Sequence, residues 1–104
     1  MERIEKLHNM LKQSPNDCFL WHALGLEWLK IGDLEQARTH FEQVLTFDAN
    51  YVGTYYHLGK TLEKLGLLPN AVLIYEEGIR RTSTLNDRHA RNELQQALDD
   101  LSDE

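Results

Sequence analysis

The chain has 104 residues, with 11 basic and 17 acidic side chains and a formal net charge of −6. That length makes one small domain, able to bury about 60–70% of its unfolded surface. Residues 1–50 carry 5 basic and 8 acidic side chains and residues 51–104 carry 6 and 9, so both halves are acidic and there is no basic arm for nucleic acid. The lone Cys18 excludes an internal disulfide, and no signal peptide or apolar run of about 18 residues marks export or a membrane span. The chain reads as a cytoplasmic protein.

Residues 2–13 are predicted helical, with Ile4, Leu7 and Leu11 at i, i+3 and i+7 and Met10 adjacent. Ser14-Pro15-Asn16-Asp17 is a turn: Pro15 disfavours helix at Ser14, and Asp17 is a good N-cap. A second helix is expected over 18–31, with Trp21, Leu24, Trp28 and Ile31 on one face and Gly32 as its stop. Asp33, with Gln36 three residues on, opens a third helix over 34–47. A turn at Asp48-Ala49-Asn50 leads to a fourth over 52–65, ending at Gly66. Pro69 falls in the first turn of a fifth, over 68–81, where its missing N–H costs little. Thr82-Ser83-Thr84 is expected to break that helix. Asn86 or Asp87 caps a sixth over 87–101, with Ala90, Leu94, Ala97, Leu98 and Leu101 on its apolar side. The closing Asp99, Asp100, Asp103 and Glu104 oppose the helix dipole, so fraying is expected in the last turn.

A shift of 34 residues superimposes the middle of the chain on itself. It pairs Leu24 with Leu58, Gly25 with Gly59, Gly32 with Gly66, Ala37 with Ala71 and Glu42 with Glu76, while Trp21/Tyr55 and Phe41/Tyr75 are conservative pairs. A fixed period of this length marks a stack of helix-turn-helix units, each needing neighbours to bury its face. The pattern W-x2-L-G-x2-aromatic followed by A-x3-F resembles the tetratricopeptide repeat. Trp28 and Leu62 stand where that family prefers Tyr, Val44 and Gly78 where it prefers Ala, and Ala49 and Ser83 where Pro closes a repeat.

The resemblance implies an all-α, right-handed α-α superhelix (solenoid) of about six antiparallel helices in a single domain. Residues 2–13 form an N-terminal capping helix in second-helix register, 18–51 and 52–85 are the two repeats, and 86–102 form a C-terminal capping helix. The implied function is protein–protein interaction: a short peptide or protein segment bound in a concave groove. The first-helix positions that line such a groove are Phe19, His22, Leu26 and Leu29 in one repeat. In the next they are Tyr56 and Lys60, with Gly53 and Glu63, and with His57 and Lys64 beside them; Arg91 follows by the same register. Such a groove is apolar at one end and aromatic-basic at the other, suited to an acidic partner with apolar anchors. The alternative is a structural unit that forms a homodimer through the exposed apolar stripe.

Some family members grip a terminal carboxylate with a Lys/Asn/Arg clamp. Here His22, Leu26, His57 and Asp87 occupy the clamp positions and only Arg91 agrees, which argues against that specialisation. His22 and His57 fall at adjacent register positions, yet no third ligand accompanies them and no HExxH, HxH or Cys/His cluster exists. No metal, cofactor or catalytic residue is expected, and neither nucleic acid nor membrane as a partner.

Overall fold

In a computed structural model, which describes residues 1–102, six helices follow one another: α1 (Glu2–Gln13), α2 (Cys18–Lys30), α3 (Leu34–Phe47), α4 (Gly53–Lys64), α5 (Leu68–Thr84) and α6 (Arg88–Ser102). There is no strand among the described residues, and the helices stack as a solenoid. Asp103 and Glu104, part of the expected frayed end, lie outside the described residues. Asp99 and Asp100 themselves remain helical, accepting hydrogen bonds from Gln95 and Gln96.

The helix boundaries follow from local chemistry. Asp17, Asp33 and Asp87 each accept a hydrogen bond from the backbone N–H three residues on, capping α2, α3 and α6. Gly32 and Gly66 adopt φ of +88° and +79° in the turns after α2 and α4, a conformation that favours glycine, and Asn86, the other residue type that tolerates it well, takes the same role after α5 at +60°. The turns between repeats are closed differently. The Trp21 indole donates to the Pro15 carbonyl at 2.8 Å, and the Tyr55 hydroxyl donates to the Ala49 carbonyl at 2.6 Å. These are the same bond, thirty-four residues apart, so Ala49 serves where a closing proline is absent.

α5 departs from expectation. It runs to Thr84, a turn beyond the predicted end at 81. Thr82 and Thr84 donate to the carbonyls of Gly78 and Arg80, so their hydroxyls are satisfied inside the helix. Thr82 is fully buried. At the next equivalent of Trp21 and Tyr55 stands His89, which is exposed and makes no such bond to a preceding turn. The helix therefore continues instead of turning.

Two cores hold the stack. One gathers Ile4, Leu7, Leu11, Leu20, Ala23 and Leu24 between α1 and α2. The other gathers Ala37, Phe41, Tyr55, Leu58, Leu62, Ala71, Tyr75, Leu94 and Ala97. Trp28 packs against both. The crossing within each repeat is set by a ring seated on a glycine. A Cβ at Gly25 would lie within 3.0 Å of three ring carbons of Phe41, and one at Gly59 equally close to the ring of Tyr75. At Gly78 a Cβ would meet Tyr55 Cβ and Leu94 Cδ1, each at 2.8 Å. That contact explains why glycine replaces the customary alanine there.

Gly59→Ala and Gly78→Ala should each lose about 1–3 kcal/mol, even though alanine is the better helix former. A domain of this size then melts roughly 4–8 °C lower per kcal/mol. Gly53→Ala, which meets nothing within 4 Å, should stay within about 0.5 kcal/mol of the parent. Thermal and urea unfolding followed by circular dichroism checks all three.

Candidate functional site: the inner face of the first helices

The face lined by α2, α4 and α6 carries most of the positions singled out above. His22 sits at the joint between the repeats. Its Nδ1 and the buried Thr54 Oγ1 are 2.7 Å apart, in a hydrogen bond that a neutral imidazole makes as donor or acceptor. Its ring lies 5.5 Å from that of His57, 5.6 Å from Tyr51 and 5.6 Å from Phe41. His57 stacks in turn on Phe41 at 6.0 Å and meets Tyr56 edge-on at 5.5 Å. The two histidines thus meet as the register places them, inside an aromatic cluster. Among the described residues no group of three His, Cys, Asp or Glu side chains is arranged to hold a metal.

Burial, followed by the neighbouring His57, lowers the His22 pKa to about 4. Burial likewise lowers His57, partly offset by the carboxylate of Glu93, and lowers His40. All three are neutral at pH 7.

The second repeat builds a polar chain where the first is apolar. Lys60 Nζ lies 5.7 Å from the Tyr56 ring centroid and 3.6 Å from the Glu63 carboxylate. Glu63 also accepts the hydroxyl of the fully buried Tyr75. Burial first, and then this carboxylate, push the phenol far above its ordinary pKa. Shifted back by 34 residues, these four are His22, Leu26, Leu29 and Phe41. Leu26 and Leu29 pack half-buried against the main core. The first repeat thus holds Leu26 and Leu29 where the second holds the paired Lys60 and Glu63.

Tyr56 and Lys60, with Glu93, Gln96, Ala97 and Asp100 of α6, line a cleft of about 170 Å³. Sequence reasoning missed the acidic wall. The 34-residue register pointed to Arg91, but α6 turns Leu94 and Ala97 into the core, and Glu93 and Asp100 line the cleft against α4 instead. Arg91 stands two residues before Glu93, roughly 160° around the helix, and does not line the cleft. Lys64 is exposed at the end of α4. Phe19, 62% exposed, lies apart from this cleft, beside α1. The Glu63 contact was legible as an i, i+3 pair with Lys60.

The comparisons with known proteins agree with this architecture. Residues 25–66 match the TPR repeat and residues 52–84 the tetratricopeptide repeat. The chain is 31% identical over 91 residues to the TPR repeat-containing protein PA0015 of Pseudomonas aeruginosa, spanning 88% of this chain and 87% of that one. A tetratricopeptide repeat domain protein of Salinibacter ruber superposes with a TM-score of 0.74 at 38% identity, over 79% of this chain and 91% of the other. Protein BPP2914 of Bordetella parapertussis superposes at 0.83 with 29% identity, over 95% and 86%. The chain belongs to the tetratricopeptide repeat family, whose domains are in general protein–protein interaction modules.

The lowered histidine pKa values fix a pH dependence. Protons bind the unfolded state below about pH 6.5, while folded His22 resists them until about pH 4. Stability is therefore full above pH 6.5 and falls as the pH drops toward 4. His22 alone accounts for on the order of 2 kcal/mol after allowance for its residual exposure, and His57 and His40 act in the same direction. Urea unfolding at pH 7.5, 5.5 and 4.5 should show the decline. An NMR titration in which His22 protonates near 6.5 would contradict it.

Proposed function

We propose that this domain binds a short segment of a partner protein along the inner face of α2, α4 and α6, and acts as a binding module without a catalytic role. The observation that carries this reading is the cleft between α4 and α6, where a half-buried tyrosine ring, a held lysine and two carboxylates converge. Tyr56 offers an apolar anchor, and Leu26 and Leu29 extend the apolar track toward the first repeat. Such a surface suits a segment with one or two apolar side chains. The acidic partner suggested by the lysines fits less well: Lys60 is engaged by Glu63, and Glu93 and Asp100 face it across the cleft. A segment that mixes apolar and hydrogen-bond-donating or cationic side chains meets this wall better.

The small area implies an affinity of about micromolar strength, about −8 kcal/mol. Tyr56→Ala should weaken binding by about 1–2 kcal/mol and leave the fold intact, because the ring is only half-buried. Once a partner is isolated from native extract, chemical-shift mapping decides the matter. Perturbations along Leu26, Tyr56, Lys60 and Glu93 support the reading, and perturbations confined to α3 and α5 refute it.

A further inference from the structure

The cleft between α4 and α6 has two ends of different charge. Glu93 and Asp100 are two turns apart on α6, about 10.5 Å along its axis, with the buried Ala97 between them. Asp100 stands at the end where Lys60, Glu63 and Tyr75 are joined. There Lys60 lies 3.6 Å from Glu63, Glu63 accepts the Tyr75 hydroxyl, and the charge of Asp100 adds to burial and Glu63 in raising that phenol. Gln96 also donates to Asp100 at 2.9 Å. Glu93 stands at the other end, close enough to His57 to oppose the lowering that burial imposes on the imidazole.

The Glu93 end holds a carboxylate that nothing in the chain neutralises. Glu93 enters no ion pair among the described residues, and its neighbour His57 is held neutral by burial. In and beside the cleft, the carboxylates of Glu63, Glu93 and Asp100 outnumber the single ammonium of Lys60. A carboxylate at a partly apolar recess draws a cation more strongly than one in open solvent. The recess also offers walls for a long side chain. Its volume is about 170 Å³, with the half-buried Tyr56 ring on one side and the Ala97 methyl on the other. Lys60 already holds its ammonium 5.7 Å from the Tyr56 centroid, so this ring accepts a cation.

We propose that the cleft receives one arginine side chain of the partner segment, with its stem against Tyr56 and Ala97 and its guanidinium paired with Glu93. Glu93 is then the residue that selects a basic segment over an acidic or neutral one. Arginine fits both parts of the recess. Its stem lies on apolar walls, and its planar head binds the two oxygens of one carboxylate at once. The two-turn separation on α6 means that a single head group meets one carboxylate, and the Asp100 end already has Lys60 beside it. This inference rests on the reading of the inner face as the binding surface, and it names the side chain which that surface selects.

The probe is an acetylated and amidated peptide, Ala-Leu-Ala-Arg-Ala-Leu, compared with the same peptide carrying citrulline, the uncharged isostere, in place of arginine. Each is titrated into the isotope-labelled full-length chain and into Glu93→Gln, a change at an exposed position that leaves the core untouched. The expected result is saturable shifts at Tyr56, Glu93 and Ala97, with the arginine peptide bound about tenfold more tightly than the citrulline peptide. That advantage should disappear in Glu93→Gln. Two peptides that bind the parent equally well at Leu26 and Tyr56 would overturn the arginine site and leave the proposed function standing. An arginine preference that persists in Glu93→Gln overturns it as well, and so does the absence of shifts with the arginine peptide. Shifts confined to α3 and α5 contradict both the arginine site and the proposed function.

Discussion

The seating of an aromatic ring on a glycine is the constraint on which the rest of the structure depends. Phe41 lies against Gly25 and Tyr75 against Gly59, and neither contact leaves room for a single methyl group. The close approach sets the crossing of the two helices of each repeat, and thereby which residues of the first helix turn inward. Both rings are fully buried, so their area contributes hydrophobic stabilisation in the same contact that fixes geometry. Trp28 then ties the capping pair to the main core, its indole N–H finding no hydrogen-bond partner among the described residues.

From that frame the inner face follows. With the crossings fixed, His22 and His57 are pressed together at the joint between repeats, where burial keeps them neutral. One substitution pattern separates the two repeats. Leu26, Leu29 and Phe41 become Lys60, Glu63 and Tyr75, and the three polar members bond to one another from the surface into the core. The buried phenol has no counterpart to satisfy in the first repeat, and there an apolar track suffices. The same backbone thus presents two chemistries side by side.

Most of the fold was legible because its punctuation is local. Asp17, Asp33, Gly32, Gly66 and Pro69 act within a few residues of where they stand, and the 34-residue period disclosed the rest. The end of α5 was not, since a Thr-Ser-Thr run reads as a breaker until its hydroxyls find carbonyls one turn back and Thr82 finds a buried seat. The inner face of α6 was assigned by the 34-residue register, but Leu94 and Ala97 turn into the core, which brings Glu93 and Asp100 to the cleft while Arg91 does not line it. Phe19 was assigned to the groove by register, but its surroundings are set by α1, whose position relative to α2 no spacing rule supplies.

The ring-on-glycine seat is tested most directly by a double-mutant cycle in the second repeat. Gly59→Ala is measured alone and in the background of Tyr75→Leu, with urea unfolding as the readout. If the ring is what excludes a methyl group, removing it relieves the clash, and Gly59→Ala becomes less costly in the Tyr75→Leu background by about 1 kcal/mol or more. An equal cost in both backgrounds would show that the glycine is required for some other reason and would contradict this account of how the repeats are held.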